Sequence, residues 1–250
     1  MRVTVLGKSP SWEDAGGACS GYLVQEGAAT LLLDCGNGVF AKLRAQIDYT
    51  AVHAVVISHL HADHFLDLVP WSYALTHGPR KGTARPALYA PPGARETFRR
   101  VCGAWGGEDL IESAFALTEY SVGDTLEIGD MRVGFAEVSH FVATHAVGIA
   151  AAGRRFVFGA DTRPTDQLVE FARDADLLMT EATLGDAPSD PEAGHLSASD
   201  AGDHARRAGA RRLVLTHITD ELDHAAARRA AAEAFGGPVE IAREGAIYAV

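Results

Sequence analysis

The chain has 250 residues, 47% hydrophobic and 22% charged, enough apolar matter to bury a core and too much for wholesale disorder. Thirty-three acidic residues against 22 Lys and Arg leave a formal charge of −11 at pH 7, which repels long polyanions and argues against a nucleic-acid coat or a binder of anionic membranes. No apolar run approaches the roughly 18 residues of a spanning helix, and the opening Met1-Arg2-Val3-Thr4-Val5-Leu6-Gly7 turns polar too soon for a secretory leader, so no membrane partner and a cytoplasmic location are expected.

In chain order, residues 2–6, 21–25 and 30–34 read as strands, with a Gly/Ser/Pro-rich loop over 7–20 after the first. A helix is predicted over 39–47, a buried β-branched strand over 53–58, a helix over 65–75 and another opening at Pro92-Gly93 and running toward Trp105. Strands follow at 117–121, 125–128, 131–138, 146–151 and 155–158. The last third alternates: helix 164–173, strand 177–180, helix 197–208, strand 212–216, helix 221–235 and a closing pair of short strands. Two groups of strands with flanking helices predict an α/β chain, a layered α/β/β/α sandwich, as a single domain over residues 1–250. Cys19, Cys35 and Cys102 lack ligand-like spacing and read as small buried hydrophobes in a reducing compartment.

Histidine is abundant, with eleven copies, and its placement is specific. Directly after the strand 53–58 stands His59-Leu60-His61-Ala62-Asp63-His64, a pattern that the chain's own composition would produce in roughly one such sequence per thousand. At the end of an extended strand, His59 and His61 face the same side because side chains alternate. Asp63 and His64 then fall where the chain turns into a helix and face a neighbouring position; helix capping is the other job open to Asp63. Further ligands are expected at strand ends, where geometry is held best. His140, Asp161 and His217 each end a predicted strand. Any one of them alone reads equally as a turn or surface group, and together beside the histidine cluster they point to a metal centre.

With these residues in view, the sequence resembles the metallo-β-lactamase superfamily, in its ribonuclease Z-like branch. The resemblance runs over nearly the whole chain: Val5-Leu6-Gly7, Leu33-Asp34-Cys35-Gly36-Asn37-Gly38, His59 to His64, Val138-Ser139-His140, Gly159-Ala160-Asp161-Thr162-Arg163-Pro164, Glu181-Ala182-Thr183-Leu184, Gly194-His195-Leu196-Ser197 and Leu215-Thr216-His217. It implies the αβ/βα four-layer sandwich and two divalent metal ions. One would be held by His59, His61 and His140, the other by Asp63, His64 and His217, with Asp161 bridging. Imidazole and carboxylate donors suit Zn²⁺, with Mn²⁺ or Fe²⁺ as alternatives. His145 is the rival for the strand-end ligand, and His140 is preferred because it follows Glu137-Val138-Ser139 in the family's register. The resemblance also implies His195 as proton donor or oxyanion partner, oriented or charged by Glu181, with Asp63 counted among the catalytic side chains. Asp34 is expected either to hydrogen-bond a ligand imidazole or to serve the turn before residues 39–47. Arg163 is open between a phosphate contact and a surface arginine, and Trp12 between stacking a ring and packing on the rim.

Two departures from ribonuclease Z proper bear on substrate. The family's long tRNA-gripping arm falls between the counterparts of His140 and Asp161, which here leave room only for a hairpin. His217-Ile218-Thr219-Asp220 also lacks the Ser and Arg that usually follow the last ligand. With the acidic charge opposing RNA, the expected activity is hydrolysis of a small anionic phosphodiester, such as a cyclic nucleotide or nucleotide-like diester. The alternatives are tRNA 3′ processing, thioester or lactone hydrolysis, and a non-catalytic metal-binding scaffold. Family likeness suggests a homodimer, without a recognisable interface in the sequence.

Overall fold

The computed structural model describes residues 1–250, the side chain of Pro191 excepted. The first half supplies β1 (Arg2–Gly7), β2 (Gly21–Glu26), β3 (Ala29–Leu33), α1 (Val39–Gln46), β4 (Ala54–Val56), α2 (Ala62–Phe65), α3 (Leu68–Thr76), β5 (Ala87–Ala90), α4 (Ala94–Gly103), α5 (Leu110–Ala114) and β6 (Ala116–Glu119). The second supplies β7 (Thr125–Ile128), β8 (Met131–Val138), β9 (Thr144–Ala151), β10 (Arg154–Phe158), α6 (Asp166–Phe171), β11 (Leu177–Glu181), α7 (Ala198–Ala208), β12 (Leu213–Thr216), α8 (His224–Phe235), β13 (Val239–Ile241) and β14 (Ile247–Ala249).

These strands form two seven-stranded sheets, ordered β14-β1-β2-β3-β4-β5-β6 and β13-β12-β11-β10-β9-β8-β7. In each sheet antiparallel strands give way to parallel ones, at β3–β4 in the first and β10–β11 in the second. Alternation decides the layering, because a period-2 strand with apolar residues at every position buries both faces. Leu31 and Leu33, Phe156 and Phe158, and Leu177 and Met179 point into the core shared by the sheets. Leu32 instead packs under the helices of the first sheet, and Val157 and Leu178 under those of the second. Helices thus cover both outer faces, and the four-layer α/β sandwich expected from the sequence is the observed fold. Among the described residues, no helix is long and apolar enough to cross a membrane. Cys19, Cys35 and Cys102 are buried and form no disulfide.

Three local expectations change. The helix expected over 65–75 is broken into α2 and α3, because Pro70 has no N–H for the carbonyl of Leu66 and its ring crowds that carbonyl. The break frees Asp67 to accept the Phe40 backbone N–H at 2.8 Å, tying α3 to the start of α1. The closing strands are not a pair: β14 joins β1 in the first sheet and β13 joins β12 in the second, so the chain end stitches the sheets together. Helix α5 was not anticipated, since five residues carry too little periodicity to read.

Candidate metal centre and active site

The site lies at the carboxyl ends of β3, β4, β8, β10, β11 and β12, the end at which parallel strands of α/β sheets present their loops to ligands. At three of these ends the backbone turns away through the left-handed region, at Asp34 (φ 58°), Ala160 (φ 54°) and His217 (φ 50°). Such conformations are costly for non-glycine residues and persist where surrounding contacts impose them, typically at functional sites. The loop after β3 presses closely on α2: a Cβ on Gly36 would stand 1.8 Å from the Asp63 carbonyl oxygen, so only glycine fits there.

The first donor set is His59, His61 and His140. The strand expected over 53–58 ends at Val56, so the loop between β4 and α2 brings His59 and His61 together, with His59 Nε2 3.2 Å from His61 Nδ1, and His140 Nε2 also stands 3.2 Å from that Nδ1. The outer nitrogens of two rings are committed elsewhere. His140 Nδ1–H donates to the Gly194 carbonyl at 2.8 Å, and His59 Nδ1–H donates at 3.1 Å to the Ser58 hydroxyl, which itself donates to Asp34 at 2.8 Å. This tautomer assignment follows from the hydrogen-bond network. It leaves ring lone pairs converging on one another, an arrangement that repels unless a cation shares them.

The second set is Asp63, His64, Asp161 and His217, all four buried. His64 Nδ1–H donates to Asp34 at 2.7 Å, and His217 Nδ1–H donates to the Thr183 hydroxyl at 2.8 Å, so both rings turn Nε2 inward. Asp63 Oδ2 is 3.2 Å from each Nε2. Asp161 Oδ2 is 3.5 Å from His64 Nε2, 3.4 Å from His217 Nε2 and 3.9 Å from His59 Nε2, within reach of both sets. His64 Nε2 and Asp161 Oδ1 are buried without a protein hydrogen-bond partner. Each such orphan costs about 1–3 kcal/mol if nothing pairs with it. Nitrogen and carboxylate donors with orphaned inward atoms fit a borderline divalent cation.

The electrostatics point the same way. Burial alone would raise the Asp161 carboxyl, but His217, His64 and His59 hold it well below its ordinary value. Burial would lower His64, yet Asp161, Asp63 and Asp34 outweigh it and raise its pKa well above the usual imidazole range. A field that holds a proton on a fully buried imidazole is one that attracts a cation, and metal binding displaces that proton. His59, where burial dominates and His64 adds repulsion, is held neutral, the form that ligates.

Beside the donor sets, His195 Nδ1–H is shared by the two Glu181 carboxylate oxygens at 3.0 and 3.1 Å, and the same nitrogen is 4.0 Å from Asp161. Burial would lower the His195 pKa, but Glu181, with Asp161 and Asp63, raises it. Glu181 is itself fixed by the Thr162 N–H at 2.7 Å and the Thr183 hydroxyl at 2.6 Å. Thr183 therefore ties the Glu181–His195 pair to His217, a link invisible in the sequence because the hydroxyl works only through the fold.

All the residues singled out as ligands or acid–base groups converge here. His145 does not: it lies under Tyr120, ring centroids 5.2 Å apart, outside both donor sets. His204 accepts the Thr165 N–H at 3.0 Å and donates to the Asp200 carbonyl at 2.7 Å, pinning α6 to α7. Of the two roles open to Asp34, the contact with a donor-set imidazole is the one formed. The loop over 7–20 buttresses the site: Lys8 Nζ donates to the Ile218 carbonyl at 2.9 Å, and Asp14 accepts the Asp220 N–H at 3.0 Å, bracing the turn that follows His217. Trp12 is half exposed, and the aromatic residue packed against the site is Phe141, which sequence reasoning passed over. Its position directly after His140 was the available signal.

Comparison with known proteins agrees with this geometry. The family described as the Beta-lactamase superfamily domain matches residues 29–218. The Bacillus subtilis protein named Probable metallo-hydrolase YhfI is 32% identical over 250 residues, covering 99% of each chain, and its crystal structure superposes with a TM-score of 0.89, covering 99% of this chain and 98% of that one. A ribonuclease Z from Myxococcus xanthus is 28% identical over 311 aligned positions, covering 98% of this chain and 96% of that one; those positions outnumber the 250 residues present here, so that enzyme carries segments this chain lacks. A crystal structure of a diphosphatase from the PhnP family shares the fold, at a TM-score of 0.75 and 20% identity, covering 99% of this chain and 97% of that one. By fold, donor cluster and these matches, the chain belongs to the β-lactamase superfamily, in its ribonuclease Z-like branch of metallo-hydrolases.

Proposed function

We propose that this chain is a dinuclear-metal hydrolase, with Zn²⁺ the ion its donors suit best, that cleaves small phosphodiesters such as a cyclic nucleotide or nucleotide-like diester. The observation that carries the reading is the Glu181–His195 pair, 3.0 Å apart and set beside the donor cluster. Phosphodiester cleavage expels an alkoxide oxygen that needs a proton, whereas a thioester expels a far less basic thiolate that leaves without one. His59, His61 and His140 would hold one ion, Asp63, His64 and His217 the other, with Asp161 shared. Divalent ions there supply Lewis-acid polarisation of the phosphoryl group and a nucleophile from water at neutral pH.

The chain's own residues do the rest. Asp34, Thr183 and the Gly194 carbonyl fix the tautomers and ring planes of His64, His217 and His140, keeping the inward nitrogens free to ligate. Glu181 engages Nδ1 of His195, which leaves Nε2 as the atom that gives a proton to the leaving oxygen. The chain between His140 and Asp161 is the antiparallel pair β9–β10, which offers no projecting arm. With a net charge of −11, this supports a small diester over tRNA: two divalent ions concentrate positive charge at the pocket while the remaining surface repels long RNA.

The test is a panel of bis(p-nitrophenyl) phosphate, cyclic nucleotides, thioesters and lactones, assayed with Zn²⁺ and with Mn²⁺. Diester turnover exceeding thioester and lactone turnover is expected; a metal-loaded enzyme that cleaves no diester sinks the reading. Asp34 gives a separate check. Asp34→Asn keeps the left-handed turn, which asparagine tolerates, but removes the charge behind His64. Metal affinity is expected to fall about 10- to 100-fold by chelator competition, and unchanged affinity would leave Asp34 a purely structural turn residue.

A further inference from the structure

Phe141 stands out among the exposed apolar residues because of where it is. Its side chain is 59% exposed, yet it directly follows His140, with ring centroids 5.0 Å apart, and lies 6.4 Å from the His195 ring. Exposing so much of an aromatic surface forgoes the gain that its burial would bring. A tertiary arrangement nevertheless holds it there from two sides. The Arg163 guanidinium carbon lies 5.8 Å from the ring centroid, and Arg163 N–H donates to the Ser139 carbonyl at 2.8 Å, tying the two loops together. Gly194, at φ 74°, lets the ring approach so closely that a Cβ there would stand 2.3 Å from it. The Gly194 carbonyl is also the group that orients His140. The Arg163 Nε is buried without a protein hydrogen-bond partner.

From this placement we propose that Phe141, backed by Arg163, is a specificity-determining platform for a planar aromatic ring, such as a nucleobase, attached close to the phosphoryl group that the donor cluster and His195 engage. An aromatic ring one residue from a predicted metal ligand and beside the acid–base pair can stack a base while the phosphate sits at the cluster. Aromatic stacking tolerates any base, since each has a π-face. Arg163 stiffens the ring through its cation–π contact and can reach an exocyclic oxygen or a phosphate oxygen. The proposal rests on the diesterase reading and deepens it by naming the residues that would select a ring attached beside the phosphoryl group.

The experiment compares binding of adenosine 5′-monophosphate and ribose 5-phosphate to the zinc-loaded enzyme by calorimetry, which reads the ring's contribution without turnover. The wild type is expected to favour the nucleotide by about 5- to 150-fold. Phe141→Ala should bring that ratio to about one, Phe141→Trp should keep it, and Phe141→Leu should lose most of it, which separates stacking from simple apolar contact. Because Phe141 is exposed, these variants should keep the wild-type Tm. A wild-type ratio near one, or a ratio unchanged in Phe141→Ala, overturns the platform. The two readings fail separately: an enzyme that hydrolyses diesters with no ring preference loses only the platform, and one that cleaves no diester but keeps a Phe141-dependent ratio loses only the diesterase reading.

Discussion

Asp161→Ala is expected to lower kcat for a diester by more than about 10³-fold and to reduce the bound metal below the wild-type ratio. Asp161 is the carboxylate that reaches both donor sets, with Oδ2 between 3.4 and 3.9 Å from His217, His64 and His59. Its buried charge is offset by those imidazoles, with His195 4.0 Å away, and by whatever cation the cluster holds. On the dinuclear reading proposed above, removing it would take away the shared ligand and the negative charge that offsets two cations. Asp161→Asn keeps the shape but not the charge, so it should show most of the same loss. Turnover and elemental analysis on the same preparations decide the matter: two metals per chain with wild-type kcat in the alanine variant would falsify the bridging assignment. Loss of turnover with retained biological function in cells would instead favour a metal-binding scaffold.

The second large effect belongs to His195. His195→Ala is expected to lower kcat by about 10²- to 10⁴-fold, the usual worth of a positioned general acid, with metal content unchanged because the ring belongs to the acid–base pair and not to the two proposed ligand sets. As the proposed general acid, His195 would work in its protonated form, so kcat should fall as pH rises through its raised pKa. Burial pulls that pKa down, and the hydrogen bond and charge of Glu181 are the leading opposing causes. Glu181→Gln removes the charge but keeps the size, so the His195 pKa must drop and the acid form must be lost at lower pH. The alkaline limb of the kcat profile should therefore move to lower pH, with kcat down about 10- to 100-fold. A limb that stays in place, or one that moves to higher pH, rules out the pairing as the source of the acid.

Both predictions rest on residues that could be named from the sequence. The histidine cluster was legible because its members are adjacent in the chain, although β4 ends at Val56 and the loop into α2, rather than strand alternation, sets their directions. His140, Asp161 and His217 were legible as polar residues closing apolar strands, a pattern that β8, β10 and β12 turn into a common rim. Of the bonds that make the cluster a site, a contact from Asp34 to one of its imidazoles was legible as one of two roles, but not which ring it meets, and the Thr183 bond was not legible at all. Asp34 meets His64 from 30 residues away, and Thr183 meets His217 from 34 away. A serine, a threonine or an aspartate in a loop gives no sign of which distant ring it will hold. Nor does the sequence mark the left-handed turns at Ala160 and His217, which local preference disfavours and tertiary contacts impose.

The sequence by itself determined the layers and the list of donors. Both follow from periodicity and composition, which are local properties of the chain: apolar residues at every strand position demand cover on both faces, and polar residues at strand ends must leave the core. The tertiary structure decided how those donors are used. It sent the two closing strands to different sheets, turned the inward nitrogens of His64, His140 and His217, and held Phe141 in solvent against Gly194 and Arg163. Each of these outcomes depends on groups far apart in the chain meeting with sub-ångström tolerance, and close packing settles that only once both sheets are in place.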